Sequence, residues 1–285
     1  VDGQDTRKQS LDDLVKAIMG EKGTKVRLTL KRAGVREPID VDIVRDEIRI
    51  RTVKGWRREA DGEWDFAIDK EGMIGYVRVT QFTGQTGADI AAILDRMRQE
   101  GVRSVVLDMR FNPGGLLDAA VTVADEFLDR GVIVSTKGRN APLRAKEAAE
   151  DGKYLQGDLV VLINQASASA AEIVSGALKD WRRGILVGER TYGKGSVQNV
   201  IPIRRRRALL KLTTAYYYLP SGRLLHRADG ATDWGVEPDV AVHLTPKQLR
   251  RWLEIRRKTD LIQEIDPESL DADLRAQFRV DHQLS

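Results

Sequence analysis

The sequence predicts an α/β protein with more than one core. From about Glu47 onward, short apolar runs alternate with amphipathic helical stretches, a pattern that indicates a sheet covered by helices. At 285 residues the chain is long enough for two domains, and 41% hydrophobic with 32% charged residues suits a globular chain rather than a disordered or fibrous one. There is no cysteine, which excludes disulfides and cysteine nucleophiles and argues against thiolate metal sites.

Val1-Asp2-Gly3-Gln4 has the composition of a strand end and turn. Ser10 with Asp13 forms a capping box opening a helix whose Leu11, Leu14, Val15 and Ile18 share one face. Strands are expected over 26–30 and 39–43, where apolar and polar residues alternate in the half-buried manner. The chain begins with Val1 and not methionine, so an upstream segment is expected to precede it and the missing leader carries no information about export.

In the second part, 75–79 is a strand, 88–100 an amphipathic helix carrying Ile90, Ile93, Leu94 and Met97, and 104–110 a strand again. Phe111-Asn112-Pro113-Gly114-Gly115 then leads into a helix over 117–128. Two glycines expose backbone N–H groups at the carboxyl end of a parallel strand, so this loop is a candidate half of an oxyanion hole. A polar connection is expected over 137–157, with a helical turn near 145–149.

The run Leu159-Val160-Val161-Leu162-Ile163-Asn164 is expected to be a strand buried on both faces. A bend of small residues, Ser167 to Ala171, follows, then a helix to Asp180 with Ile173, Ala177 and Leu178 on one stripe. Ser169 therefore stands at a strand-to-helix turn, where the next backbone amides point at whatever it attacks. After a strand over 184–188 comes Lys194, 25 positions beyond Ser169 and flanked by Gly193 and Gly195. A serine hydroxyl is a weak nucleophile at neutral pH, and a lysine takes its proton only after losing its own charge through burial or a cationic neighbour. Flanking glycines allow the tight approach of backbones that such a pairing needs. Glu172 and Asp180 suggest nothing beyond helix-end electrostatics and solvation.

Taken in order, Asp108-Met109-Arg110-Phe111-Asn112-Pro113-Gly114-Gly115, Ser167-Ala168-Ser169-Ala170-Ala171-Glu172-Ile173, Gly188-Glu189-Arg190-Thr191-Tyr192-Gly193-Lys194-Gly195, Pro220-Ser221-Gly222-Arg223 and Gly235-Val236-Glu237-Pro238-Asp239 resemble the carboxyl-terminal processing peptidases, the tail-specific proteases of family S41. The resemblance runs from Val1 to Val242. It implies a Ser/Lys dyad of Ser169 and Lys194 supported by Gln198, and an oxyanion hole from the amide of Ala170 with Gly114 or Gly115. Gly115 is favoured, and both stay open. Ala171 stands where many members have a second serine, and Met109 and Phe111 replace the commoner residues around Arg110; neither change removes a catalytic group. The implied organisation is the second half of a PDZ domain over 1–46, a crotonase/ClpP-like protease core over 47–246, and a charged helical tail over 247–285. Also implied are protein or peptide substrates with free carboxyl termini, no cofactor, and a periplasmic, extracytoplasmic or membrane-associated setting, with an oligomer left open.

The rival base is His226, oriented by an aspartate such as Asp233 in a conventional triad. The three histidines, His226, His243 and His282, are too scattered to suggest a metal cluster. Two other classes are weighed: a coenzyme A-dependent hydratase using the same oxyanion architecture without Ser169 paired to Lys194, and a non-catalytic peptide-binding scaffold. The net charge of +4 arises from 47 basic against 43 acidic residues, which makes no case for nucleic acid. Arg204-Arg205-Arg206-Arg207 is expected to be a solvated turn between strands, and no window approaches the ~18 apolar residues of a membrane span.

Overall fold

The computed structural model describes residues 1–31, 35–47, 51–59, 61–71, 73–139, 141–149, 152, 154, 156–203 and 208–260. The chain divides into two compact units, Val1–Arg51 and Thr52–Ser285. The first contains helix α1 (Leu11–Ile18) and an antiparallel hairpin of β1 (Lys25–Leu30) and β2 (Ile39–Val44). Ser10 caps α1 as expected, its Oγ accepting from Asp13 N at 3.2 Å. The Arg45 guanidinium donates to the α1 carbonyls of Ile18 (2.7 Å) and Ala17 (3.2 Å), satisfying helix-end acceptors that have no intrahelical donor. Val26 is the buried apolar side chain among the described residues of this unit, whereas Leu11 and Met19 are 75% and 69% exposed.

The second unit begins with four short strands, β3 (Val53–Lys54), β4 (Arg57–Arg58), β5 (Trp64–Asp65) and β6 (Ala67–Asp69). There follow β7 (Ile74–Val79), α2 (Thr86–Gln99), β8 (Ser104–Asp108), α3 (Leu117–Asp125), β9 (Gly131–Gly138), β10 (Ala141–Ala148), β11 (Asp158–Ile163), α4 (Ala170–Asp180), β12 (Ile185–Gly188), β13 (Ser196–Ile203), β14 (Ala208–Tyr218), β15 (Val240–Ala241) and α5 (Pro246–Thr259). The main sheet has the order β15-β12-β11-β8-β7-β3, with β6 also on β7; its central pairs are parallel.

Because β7, β8, β11 and β12 succeed one another in a single direction, right-handed crossovers keep α2, α3 and α4 on one face. That face carries Val77, Val79, Val105, Leu107 and Met109, all buried against Ile90, Leu94, Val123, Ile173 and Leu178. On the opposite face, Tyr76 and Arg78 lie in register with Val106 and Asp108. Helix α5 packs there: the Arg256 guanidinium donates to Tyr76 Oη at 2.6 Å, Asp260 pairs with Arg78, and Trp252 stacks on Phe111 with 5.0 Å between ring centres.

Two expectations from sequence change. In place of the helical turn expected near 145–149, residues 145–148 belong to β10, antiparallel to β9 with Arg144 opposite Thr136 and Lys146 opposite Val134. Ala, Lys and Glu favour helix locally, but pairing with an existing strand outweighs propensity differences of a few tenths of a kcal/mol per residue. The four-stranded sheet β10-β9-β14-β13 therefore extends over a region expected to be largely a polar connection. The tail is helical over Pro246–Thr259; residues 261–285, His282 and Arg204 to Arg207 lie outside the described residues.

Candidate active site

Three loops at the carboxyl ends of parallel strands converge: β8 leads to Gly114 and Gly115, β11 to Ser169, and β12 to Lys194. In an open α/β sheet this end is where ligands bind. Ser169 is the N-cap residue of α4, with φ 55° and ψ −114°. A positive φ on a non-glycine residue costs about 1–3 kcal/mol and persists only where surroundings enforce it.

Several contacts enforce it here. Asn112 is fully buried; its Nδ2 donates to Val79 O at 2.8 Å, its Oδ1 accepts from Gly114 N at 2.8 Å, and its carbonyl accepts from Ala168 N at 2.9 Å. Ser167, also buried, donates through Oγ to Met109 O at 2.8 Å. The glycine loop and the serine turn are thereby tied together. A Cβ at Gly114, where φ is +99°, would lie 2.7 Å from Ser169 Cβ and 2.9 Å from Ala170 N, so only glycine allows the two loops to close this far. The Gly114 N–H is consumed by Asn112, while the amides of Gly115 and Ala170 make no hydrogen bond among the described residues.

The residue that sequence reasoning missed is Glu172. Fully buried in the first turn of α4, its Oε1 accepts from Thr191 Oγ1 and Gly193 N, both at 2.6 Å, and its Oε2 accepts from Ser169 N and Lys194 N, both at 2.8 Å. One carboxylate thus joins the backbone of the serine to the backbone of the lysine. Burial pushes its pKa up from the ordinary value, and the four donors only partly offset that. Its spacing three residues after an N-cap serine is a capping-box signal, but nothing local in sequence could show that the same carboxylate reaches a loop some twenty positions away.

The side chains of the expected dyad are not yet joined. The Lys194 side chain is exposed and makes neither hydrogen bond nor ion pair among the described residues, Ser169 Oγ included. Gln198, on β13, is likewise exposed, beside a register shift between Val197 and Gln198 opposite β14; such bulges re-aim side chains next to functional sites. The rival triad is not assembled: Asp233 pairs with Arg223 at 3.1 Å, and the buried His226 Nδ1 has no hydrogen-bond partner among the described residues. His243 Nδ1 lies 3.1 Å from Glu189.

Beneath the loops, Asp108 is fully buried and accepts from Tyr76 Oη (2.5 Å) and from Arg110 Nε (2.9 Å) and Nη2 (2.7 Å). Burial works against the charge, but the Arg110 bonds outweigh it and hold the carboxyl below its usual range. An apolar groove of about 640 Å³ opens beside this network, lined by Phe111, Ile163, Ala166, Val187, Tyr192 and Leu244 among others. Ala166 and Tyr192 belong to the two loops that carry Ser169 and Lys194.

The family model of peptidase family S41 matches residues 73–242, which include all three loops. The chain belongs to peptidase family S41. A carboxy-terminal-processing protease of Bartonella bacilliformis is 42% identical over 247 residues, covering 85% of this chain and 52% of that protein. Among solved structures, the photosystem II D1 C-terminal processing protease superposes with a TM-score of 0.57 at 30% identity, over 91% of this chain and 66% of that one. Mature CPAF, at 15% identity and a TM-score of 0.52, shares the fold over 67% of this chain. This S41 chain spans about half the length of the Bartonella relative. Among its described residues no helix is long and apolar enough to cross a membrane.

Proposed function

We propose that the chain carries the catalytic core of a serine endopeptidase that cleaves proteins near their carboxyl ends. In this reading Lys194 swings in from solvent, and its neutral amine takes the proton of Ser169 Oγ as that oxygen attacks the peptide carbonyl. Charge collects on the carbonyl oxygen between the amides of Ala170 and Gly115. Lys194 then passes the proton to the departing amine, leaving an acyl ester on Ser169. Water, deprotonated by the same lysine, releases the new carboxyl end and restores the serine.

The observation that carries this reading is the Glu172 bridge, which sets the serine and lysine backbones in one hydrogen-bonded unit. Gly115 is supported as oxyanion donor because the Gly114 amide is already spent on Asn112. A coenzyme A hydratase would have no use for a strained serine held beside a lysine loop, and a scaffold would have no reason to keep the serine at φ 55°.

Incubation with a fluorescent fluorophosphonate tests the assignment directly. Labelling is expected at Ser169 alone and lost in Ser169→Ala; an unlabelled wild type, or label that survives this substitution, would overturn it. Gln198 is inferred to orient the Lys194 amine once that side chain turns inward. A supporting hydrogen bond of about 1–3 kcal/mol corresponds to a tenfold to hundredfold loss in Gln198→Ala. Full activity in that variant would remove Gln198 from the site.

We also infer that Val1 to Asp46 corresponds to the second half of a PDZ domain, that the core is of the crotonase/ClpP type, and that the protein works outside the cytoplasm on substrates with free carboxyl ends. The exposure of Leu11, Val15 and Met19, with Val26 the buried apolar side chain among the described residues of this unit, supports the first point, since a complete domain buries such side chains.

A further inference from the structure

Residues 109–112 form the turn that carries the chain from β8 into the glycine loop, closed by Asn112 N donating to Met109 O at 3.2 Å. Its third residue, Phe111, has φ 61°. A turn with positive φ at this position suits glycine or asparagine, and a bulky side chain stays there only where its surroundings hold it. Phe111 is also one of the two residues that depart from the commoner family pattern around Arg110. The strain therefore needs a support that belongs to this chain.

That support comes from α5. Trp252 and Arg256 on the helix and Asp260 at its C-cap recur every four residues, and all three meet the sheet side of the helix. The Trp252 ring stacks on the Phe111 ring with 5.0 Å between centres and 26° between planes. The Arg110 guanidinium lies 4.8 Å from the centre of the same indole. Two consecutive turn residues thus rest on one side chain, through an aromatic stack and a cation–π contact. Phe111 N donates to Asn164 Oδ1 at 2.9 Å, which holds the backbone while Trp252 holds the ring. Helix α5 lies beyond residues 73–242, the segment that the family model matches.

Both ends of the turn reach the catalytic loops. Met109 O accepts from Ser167 Oγ at 2.8 Å, and Asn112 accepts from Ala168 N through its carbonyl and from Gly114 N through Oδ1. Relaxation of Phe111 out of the left-handed region would turn these acceptors away and displace the Gly115 amide relative to Ser169. Resting on the Ser169/Lys194 reading with Gly115 as an oxyanion donor, we infer that Trp252 is a positioning residue for the oxyanion loop. Helix α5 clamps Arg110 and Phe111 and thereby sets the Gly115 amide.

The test is the rate of fluorophosphonate labelling of Ser169 in the 285-residue chain, measured against probe concentration so that the maximal rate is separated from half-saturation. Attack of the serine on phosphorus expels fluoride and throws charge onto the phosphoryl oxygen, so a displaced amide lowers the maximal rate. Trp252→Ala is expected to lower it about tenfold to hundredfold, the scale of a misplaced donor, with little change in half-saturation. Trp252→Phe keeps a stacking ring and should recover most of the rate. Phe111→Asn removes the need for the stack, since asparagine enters the left-handed region readily. In that background Trp252→Ala should cost about threefold or less. Phe111 also lines the apolar groove, and reading the coupling in the maximal rate keeps that effect apart. Asp260→Asn loosens the end of α5 at Arg78 and should lower the Tm at a nearly wild-type labelling rate. Trp252→Leu, which covers the sheet without a stacking ring, serves the same comparison if the alanine variant does not fold.

An unchanged maximal rate in a folded Trp252→Ala or Trp252→Leu protein would overturn this inference and leave the Ser169/Lys194 reading standing. An undiminished loss in the Phe111→Asn background, or an equal loss in Asp260→Asn, would do the same, because α5 would then act only through general stability. Wild type that does not label at Ser169, or Lys194→Arg that still labels, would overturn the reading and this inference with it.

Discussion

Lys194→Arg is expected to be as inactive as Ser169→Ala. Arginine keeps the positive charge, much of the length and more hydrogen-bond donors than lysine, but it does not give up a proton in a protein. If the lysine only held a charge near the serine, arginine would serve nearly as well. If it moves the serine's proton, arginine removes the base altogether and the loss runs to several orders of magnitude. The backbone of Lys194 is tied to Glu172 through its N–H, and its side chain has no partner among the described residues. The substitution should therefore fold normally, with an unchanged Tm. Measured peptide cleavage above a trace in a folded Lys194→Arg protein would return His226 as the candidate base.

The uneven legibility of this site follows from the range of each interaction. Ser169 and its turn were readable because a buried strand, a bend of small residues and a helix follow one another within about twenty positions, and each carries its own periodicity or composition. The strands β7, β8, β11 and β12 were readable for the same reason. What could not be read is held together across the chain. Asn112 takes its meaning from Val79 and Ala168, Ser167 from Met109, and Phe111 from Trp252. Each is an ordinary residue until the fold brings its partner. The β9–β10 pair failed differently: Ala145, Lys146 and Glu147 have helical preferences, and only the neighbouring strand reverses them. Arg110 stands in a recognisable motif, but its role as the partner of a fully buried Asp108 depends on α5 and Tyr76 closing over that sheet face.

Glu172→Gln should come close to the loss seen for the dyad itself, although Glu172 touches no substrate. The carboxylate receives four donors on two oxygens, and an amide can replace only one of those oxygens. Its NH₂ group would face two donors, either the N–H groups of Ser169 and Lys194 or the Thr191 hydroxyl and the Gly193 N–H. Each buried donor left without an acceptor costs about 1–3 kcal/mol, enough to release the strained φ of Ser169 or the lysine loop. A hundredfold or greater fall in fluorophosphonate labelling is expected, together with a Tm lower by several degrees. Glu172→Asp keeps the charge on a shorter arm and should recover part of the stability but little of the rate. The pH dependence gives an independent check. Because burial raises the Glu172 pKa above its ordinary 4.5, the folded state binds this proton more tightly than the unfolded one. The contribution of Glu172 to stability then falls as pH rises from 4.5 through the raised value. Glu172→Gln has no such titration, so the stability lead of the wild type over this variant should narrow across that window, when unfolding is followed in denaturant at each pH. A constant gap would mean that the carboxylate titrates as it does in the unfolded chain, and a fully active Glu172→Gln protein would mean that the serine and lysine loops hold their places without it.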